Sequence, residues 1–339
     1  MNKRDIKINK LPNSAIEIIA SISIEELETR RPQAIKNLGS EIKIDGYRTG
    51  HIPEEILIKK IGEMPILNEM AELALADIYP IIILENNIKA IGRPEITITK
   101  MAPQNPLEFK AKVAIMPEFK LPDYKKIAKK INEEKLEKFE VTDEEMENTL
   151  TQIRKMNAIH TDDGKEPILP ELNLEMVQKL GDFKDLEDFK IKLKEDILKQ
   201  KEIKNQEIKR VKMMDAILEK TDLEMPEIIT ESEIDRMLAQ TKSDITRMGL
   251  QFNKYLEHLK KTEMDLRNEL KPEAEKRSKI QLILDSIIAE EKITPNKEEA
   301  DKAVEDLMKQ NPELKKEQVV PYVQMVLSNQ EVFKLLEKA

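Results

Sequence analysis

Cysteine is absent from the 339 residues, which excludes disulfides, thiolate metal sites and cysteine nucleophiles. Tryptophan is also absent, aromatic residues make up 4% of the chain, and glycine occurs only 8 times. So little glycine argues against an all-β fold with many tight turns, and against a large doubly wound sheet with Gly-rich phosphate loops. No stretch approaches the ~18 consecutive apolar residues of a membrane helix. The opening Met1-Asn2-Lys3-Arg4-Asp5-Ile6-Lys7 has basic residues with no apolar run behind them, unlike a secretory leader. A soluble, cytoplasmic protein with no membrane partner is expected.

What the chain has in quantity is charge. Asp, Glu, Lys and Arg make up 36%, against about 25% in ordinary domains. Hydrophobic residues at 40% still suffice for real cores. A sequence rich in Glu, Lys, Leu and Ile and poor in Gly reads as long helices. Net charge is −9, from 57 basic and 66 acidic residues. Residues 1–112 carry equal numbers of each sign, so the acidic excess lies in the remainder. Bulk electrostatics would not draw such a chain onto nucleic acid; any contact of that kind must be local.

The first ~115 residues mix two periodicities. Ile16, Ile18, Ala20 and Ile22 alternate, as do Ile96 and Ile98, and Phe109, Ala111, Val113 and Ile115. That period of two predicts half-buried strands. Between them, Ser23 with Glu26 reads as a capping box opening a helix, Pro53 starts a second helix, and a third spans roughly Leu67 to Leu84. From Val141 onward the pattern is helical. Thr142 and Glu145 form another capping box, and residues 159–170 read as a loop. A long helix covers about 184–220, Pro226 opens another, and Ile280, Ile283, Leu284, Ile287 and Ile288 form one wide apolar stripe. Thr294-Pro295 starts a further helix, and a last one carries Val319, Val323, Val326 and Leu327.

Catalytic constellations are scarce: there is no GxxxxGK[ST], GxGxxG, HExxH or GxSxG. No catalytic residue, metal site or cofactor is expected. His51, His160 and His258 are widely separated; His160 beside Asp162 and Asp163 reads as part of a polar loop rather than a metal ligand. Two features suggest recognition instead. Gly46-Tyr47-Arg48-Thr49-Gly50-His51-Ile52-Pro53 joins two helices and shows an aromatic and an arginine, residue types that dominate interface hot spots. There are also sixteen methionines. Met213, Met214, Met237, Met248, Met264, Met308 and Met325 fall in the helical half, where flexible thioethers suit a surface that accepts many apolar partners. Ordinary core filling competes with that reading at each position.

The segment 46–53 resembles the signature Gly-Phe-Arg-x-Gly-Lys-x-Pro of trigger factor, a family of bacterial ribosome-associated chaperones. Met225-Pro226-Glu227-Ile228-Ile229 through Glu233-Ile234-Asp235, then Leu266-Arg267 and Lys271-Pro272-Glu273-Ala274-Glu275-Lys276-Arg277, resemble the family's C-terminal domain. Leu121-Pro122-Asp123-Tyr124 and Leu169-Pro170-Glu171-Leu172 also match family segments. Three departures stand out. Tyr47 replaces the signature's Phe, and His51 replaces its Lys, with less positive charge near pH 7. Pro32 and Gly39 interrupt the helix leading to the loop, so that a kink or a late start is expected. Family members usually carry an FKBP-like prolyl isomerase domain after the segment resembling 141–158; here only residues 159–168 stand in that place, too few to bury a core.

The resemblance implies an α+β ribosome-binding domain over 1–115, with strands flanking helices. It implies a linker and connecting helix over 116–158, a short loop over 159–168, and an elongated, mostly helical client-cradle domain with arms over 169–339. The implied function is ATP-independent shielding of nascent or unfolded polypeptides beside the ribosomal exit tunnel, without isomerase activity. Loop 46–53 would contact ribosomal protein and rRNA, and the seven methionines would contact clients. A homodimer is left open. The alternatives are an off-ribosome holdase or adaptor with a drifted docking loop, a residual isomerase, and a helical scaffold that binds no client.

Overall fold

A computed structural model describes residues 6–44, 47–48, 51–134, 140–158 and 170–339. The loop expected at 159–168, His160 included, lies outside the described residues. In chain order the first elements are β1 (Lys7–Leu11), β2 (Ala15–Ile22), α1 (Ile24–Glu28), α2 (Arg31–Glu41), α3 (Glu54–Ile61), α4 (Glu63–Glu85), β3 (Ala90–Lys100) and β4 (Leu107–Ile115). Helices follow: α5 (Tyr124–Asn132), α6 (Asp143–Met156), α7 (Leu174–Leu180), α8 (Leu186–Glu219), α9 (Glu227–Arg247), α10 (Phe252–Leu259), α11 (Glu263–Glu291), α12 (Lys297–Gln310) and α13 (Lys316–Glu337). A small sheet with helices thus precedes a mostly helical remainder, as expected. By contacts the chain forms two compact units, each drawn from two stretches: residues 1–120 with 222–282, and residues 121–221 with 283–339.

In the first unit the sheet is antiparallel, in the order β1-β2-β4-β3. Alternation puts Ile16, Ile18, Ala20 and Ile22 of β2, and Leu107, Phe109, Ala111 and Val113 of β4, on one buried face. They form one core with Ile66, Leu67, Met70, Ala71, Ala74, Leu75, Ile78 and Ile82 of α4. Each large side chain in it contributes roughly 1.5–3 kcal/mol by leaving water. Ile96 and Ile98 depart from the half-buried expectation, at 37% and 36% exposed. They pair with Ala111 and Phe109, but β3 is an edge strand, and among the described residues no further strand lies beyond it to complete their cover. Register shifts at Ile91/Glu95 and Ile98/Lys100 break its regularity, a common guard against edge-to-edge association.

The helix before the loop starts late, at Arg31, with Pro32 in its first turn where the missing N–H costs nothing. Gly39 lies inside α2 without breaking it. Ser23 accepts a hydrogen bond from the backbone N–H of Glu26, so the cap forms, but on the five-residue α1.

In the second unit the Thr142–Glu145 capping box is present in full. Leu150, Val177 and Phe189 centre one cluster of α6, α7 and α8, with Phe183 set edge-on to Phe189 at 5.1 Å. Val304, Val319 and Val323 centre another, between α12 and α13. Ile283, Leu284 and Ile287 of the apolar stripe are buried. The helix expected at Thr294-Pro295 begins later, because Asn296 is the cap: its Oδ1 accepts from the backbone N–H groups of Glu298 and Glu299.

Candidate functional site

The link between α2 and α3 is held from below. Ile52 is buried, and it faces Gly39 so closely that a Cβ on that glycine would lie 3.9 Å from Ile52 Cβ. Pro53, with ψ of 142°, is the N-cap of α3 and turns the chain into the helix. Arg31, at the start of α2, donates from Nε to Glu54 Oε1 at 2.6 Å and pairs through Nη2 with Glu63 Oε1 at 2.7 Å. One guanidinium thereby ties α2 to the first residues of α3 and α4. Partial burial works against its charge, but the hydrogen bonds to Glu54 and Glu63 outweigh that penalty and its pKa is raised.

On this base the chain presents Tyr47, 42% exposed, with Arg48 and His51 exposed as well. Backbone bonds shape the segment: the Tyr47 N–H donates to Ile44 O at 3.1 Å, and the His51 N–H to Arg48 O at 3.0 Å. Arg48 has no ion-pair partner among the described residues. Gly46, Thr49 and Gly50 lie outside the described residues. Ile52, grouped with the others in the sequence, has its side chain turned inward and anchors the loop rather than presenting it.

The seven methionines separate by burial. Met213 and Met214, at 0% and 2% exposed, are core residues of α8 and have no surface to offer a partner; core filling holds at these two. Met237 packs beside Ile234 and Leu238 of α9 and Ala274 of α11, Met308 beside Val304, Val319 and Val323, and Met325 is half-buried. Met248 and Met264, at 76% and 64% exposed, are open.

Those two lie at one end of an antiparallel pair, α9 and α11. Arg267 joins its middle, donating to Asp235 at 2.6 Å and to Glu231. These two acids, Asp235 first, raise the arginine's pKa. Nearer the end, Lys242 pairs with Glu263 at 3.0 Å and sits 4.9 Å over the Phe252 ring. Helix α9 stops because Gly249 takes φ of 76° and the Leu250 N–H reaches back to Ile245 O, the αL stop of a Schellman turn. Thr262 and Asp265 cap α11 reciprocally, and the hydroxyl and backbone N–H of Thr262 hold the Asp265 carboxyl below its ordinary pKa. The result is an end that shows Met248, Leu250 (54% exposed), Leu259 (42%) and Met264. The leucines were not singled out from the sequence; for Leu250 the signal was an apolar residue directly after a helix-ending glycine.

Among the described residues no three His, Asp or Glu side chains are grouped to hold a metal, and no helix is long and apolar enough to cross a membrane.

Residues 4–153 match the family model described as bacterial trigger factor protein, and residues 185–337 match the model of the trigger factor C-terminus. Trigger factor of Corynebacterium aurimucosum is 32% identical over 124 residues, 37% of this chain and 28% of that protein. That of Natranaerobius thermophilus is 30% identical over 153 residues, 45% and 33% of the two chains. The matched stretch thus spans about a third of these relatives' length. A solved structure of the trigger factor chaperone superposes with a TM-score of 0.61 at 16% identity, covering 98% of this chain and 99% of that one. Only residues 154–184 separate the two family segments, too short an interval for the family's isomerase domain. The chain belongs to the trigger factor family, in a form without that domain.

Proposed function

We propose that this protein is an ATP-independent chaperone that docks beside the ribosomal exit tunnel through loop 46–53 and shields nascent or unfolded polypeptides. Residues 1–115 form the docking part in this reading, and 169–339 supply the client surface. The observation that carries it is the division within the loop. Tyr47 and Arg48 face solvent, while Ile52 and the Arg31–Glu54–Glu63 cluster fix the base. An exposed tyrosine can bury its ring in a partner while its hydroxyl stays wet, and arginine can grip a carboxylate or an RNA phosphate with two parallel bonds.

Met248, Leu250, Leu259 and Met264 are the proposed client contacts. Such contacts are weak singly, as befits a partner that must release its client to fold. Met213 and Met214 are withdrawn from that role by their burial. With 154–184 too short to enclose a prolyl pocket, no isomerase activity is expected, and a prolyl-peptide assay checks that directly.

Cosedimentation with ribosomes tests docking. The full chain should pellet with them, and Tyr47→Ala with Arg48→Ala should abolish this while the circular dichroism spectrum is unchanged. His51 in place of a lysine reduces a rim charge worth about 0.2–1 kcal/mol, so the salt dependence should be shallow. Undiminished binding by the double variant would remove the tethering role from this loop, and failure of the full chain to pellet would favour a chaperone that works off the ribosome.

A further inference from the structure

We propose that Met248 and Met264 form a reversible oxidation site that switches off the apolar end of the α9–α11 pair. The inference rests on the client-contact reading above and adds a regulation to it. With no cysteine in the chain, peroxide meets no thiol, and the thioethers are the softest nucleophiles present. They differ widely in access. Met70 and Met213 are fully buried, and Met214, Met176 and Met225 nearly so, whereas Met248 and Met264 are 76% and 64% exposed. The Lys242–Glu263 pair, at 3.0 Å, holds the end of α9 beside the start of α11 and so keeps both methionines at the same end of the hairpin.

The chemistry needs hydrogen peroxide as its oxidant and nothing else. The thioether sulfur attacks one peroxide oxygen, the O–O bond breaks, a sulfur–oxygen bond forms, and water leaves. Sulfur is oxidised by two electrons and the peroxide is reduced by two. The product is a polar, chiral sulfoxide in place of a flexible apolar group. Two of the four exposed apolar side chains at this end are then lost, leaving Leu250 and Leu259. The buried methionines are shielded, so the fold survives a mild exposure that changes the surface. Reductases specific for each sulfoxide epimer restore the thioether: a dithiol gives up two electrons and two protons, is oxidised to a disulfide, and the sulfoxide oxygen leaves as water.

The test treats the full chain with dilute hydrogen peroxide, maps oxygen addition by peptide mass spectrometry, and measures the delay in aggregation of an unfolded client. Met248 and Met264 should gain one oxygen well before Met213 and Met214, with unchanged circular dichroism. Protection should fall relative to the same protein untreated, and return after enzymatic reduction of the sulfoxides. In M248L/M264L, compared with itself before and after peroxide, the fall should be absent even though Met156, 87% exposed, is still oxidised. Resistance of Met248 and Met264, undiminished protection after they are oxidised, or an equal fall in the leucine variant would each overturn the proposal. If the untreated chain gave no protection, the client-contact reading would fail and the switch with it. The order of oxidation is read independently by mass.

Discussion

Ile228, in the first turn of α9, lies directly against the Cα of Gly92 in β3, so that a Cβ at that position would collide with Ile228 Cδ1. Gly92 also has φ of 73°, a conformation costly for any residue with a Cβ. Close by, the Asn13 N–H donates to Glu224 Oε2 at 3.0 Å and the Ser14 hydroxyl to Glu224 O at 2.9 Å. The root of α9 is thereby latched to the β1–β2 turn and to β3. Gly92→Ala should destabilise the protein by ~2–4 kcal/mol, from strain and overpacking together. Adding Ile228→Ala should relieve the collision but not the φ penalty. Urea unfolding of the two single variants and the double variant measures the coupling; purely additive effects would contradict the contact.

Gly39 gives the opposite expectation. It is helical, with no positive φ, and a Cβ would meet Ile52 at ordinary contact distance. Gly39→Ala should therefore raise stability by roughly 0.5–1 kcal/mol through the lower entropy of the unfolded chain. Thermal unfolding checks the sign, and a loss would mean the contact beneath the loop is tighter than described.

Arg31→Ala should cost ~1–3 kcal/mol, since it leaves Glu54 and Glu63 without their shared donor. Arg31→Lys should recover only part, because an ammonium lacks the fork that serves two carboxylates. Equal stability of the lysine variant and the native chain would remove the two-armed role. The readout is again urea unfolding.

In the second unit, Tyr124 donates its hydroxyl to Glu291 at 2.5 Å, and Lys125 pairs with the same carboxylate at 2.6 Å. The hydrogen bond from Lys125, then that from Tyr124, holds Glu291 below the usual carboxylate range. Its contribution is present above the unfolded carboxylate pKa and is lost as pH falls through the lower folded value. Burial first, and then Glu291, push the Tyr124 phenol well above its ordinary value. That contribution is complete below about pH 10 and is lost as pH rises through the folded pKa. Burial raises the Tyr79 phenol as well, so an absorbance titration of tyrosinate should show two tyrosines ionising late, and Tyr124→Phe should remove one of the two. A titration unchanged by the substitution would refute the assignment.

The strands β2 and β4, the long α8 and the Thr142 box were legible in the sequence because local period and capping chemistry specify them. The exposure of Ile96 and Ile98 was not, because a period of two marks a strand but not its place at a sheet edge. Nor could chain order reveal that residues 222–282 cluster with the first 120, which depends on long-range contacts such as Glu224 with Asn13. At the site, the type and position of Tyr47 and Arg48 were readable from the motif. Which methionines are exposed was not: Met214 lies inside α8 and Met248 at the C-cap of α9, both in the helical half of the chain, and only packing buries one and bares the other.

The most direct measurement of the central claim places a photocrosslinking residue at Leu250 and adds the protein to ribosomes carrying a stalled nascent chain. Docking through the loop with client contact at the α9–α11 end predicts a crosslink to the nascent chain that disappears when Tyr47 and Arg48 are both replaced by Ala. A crosslink of equal yield in that variant, or none from Leu250 in the native chain, would contradict it.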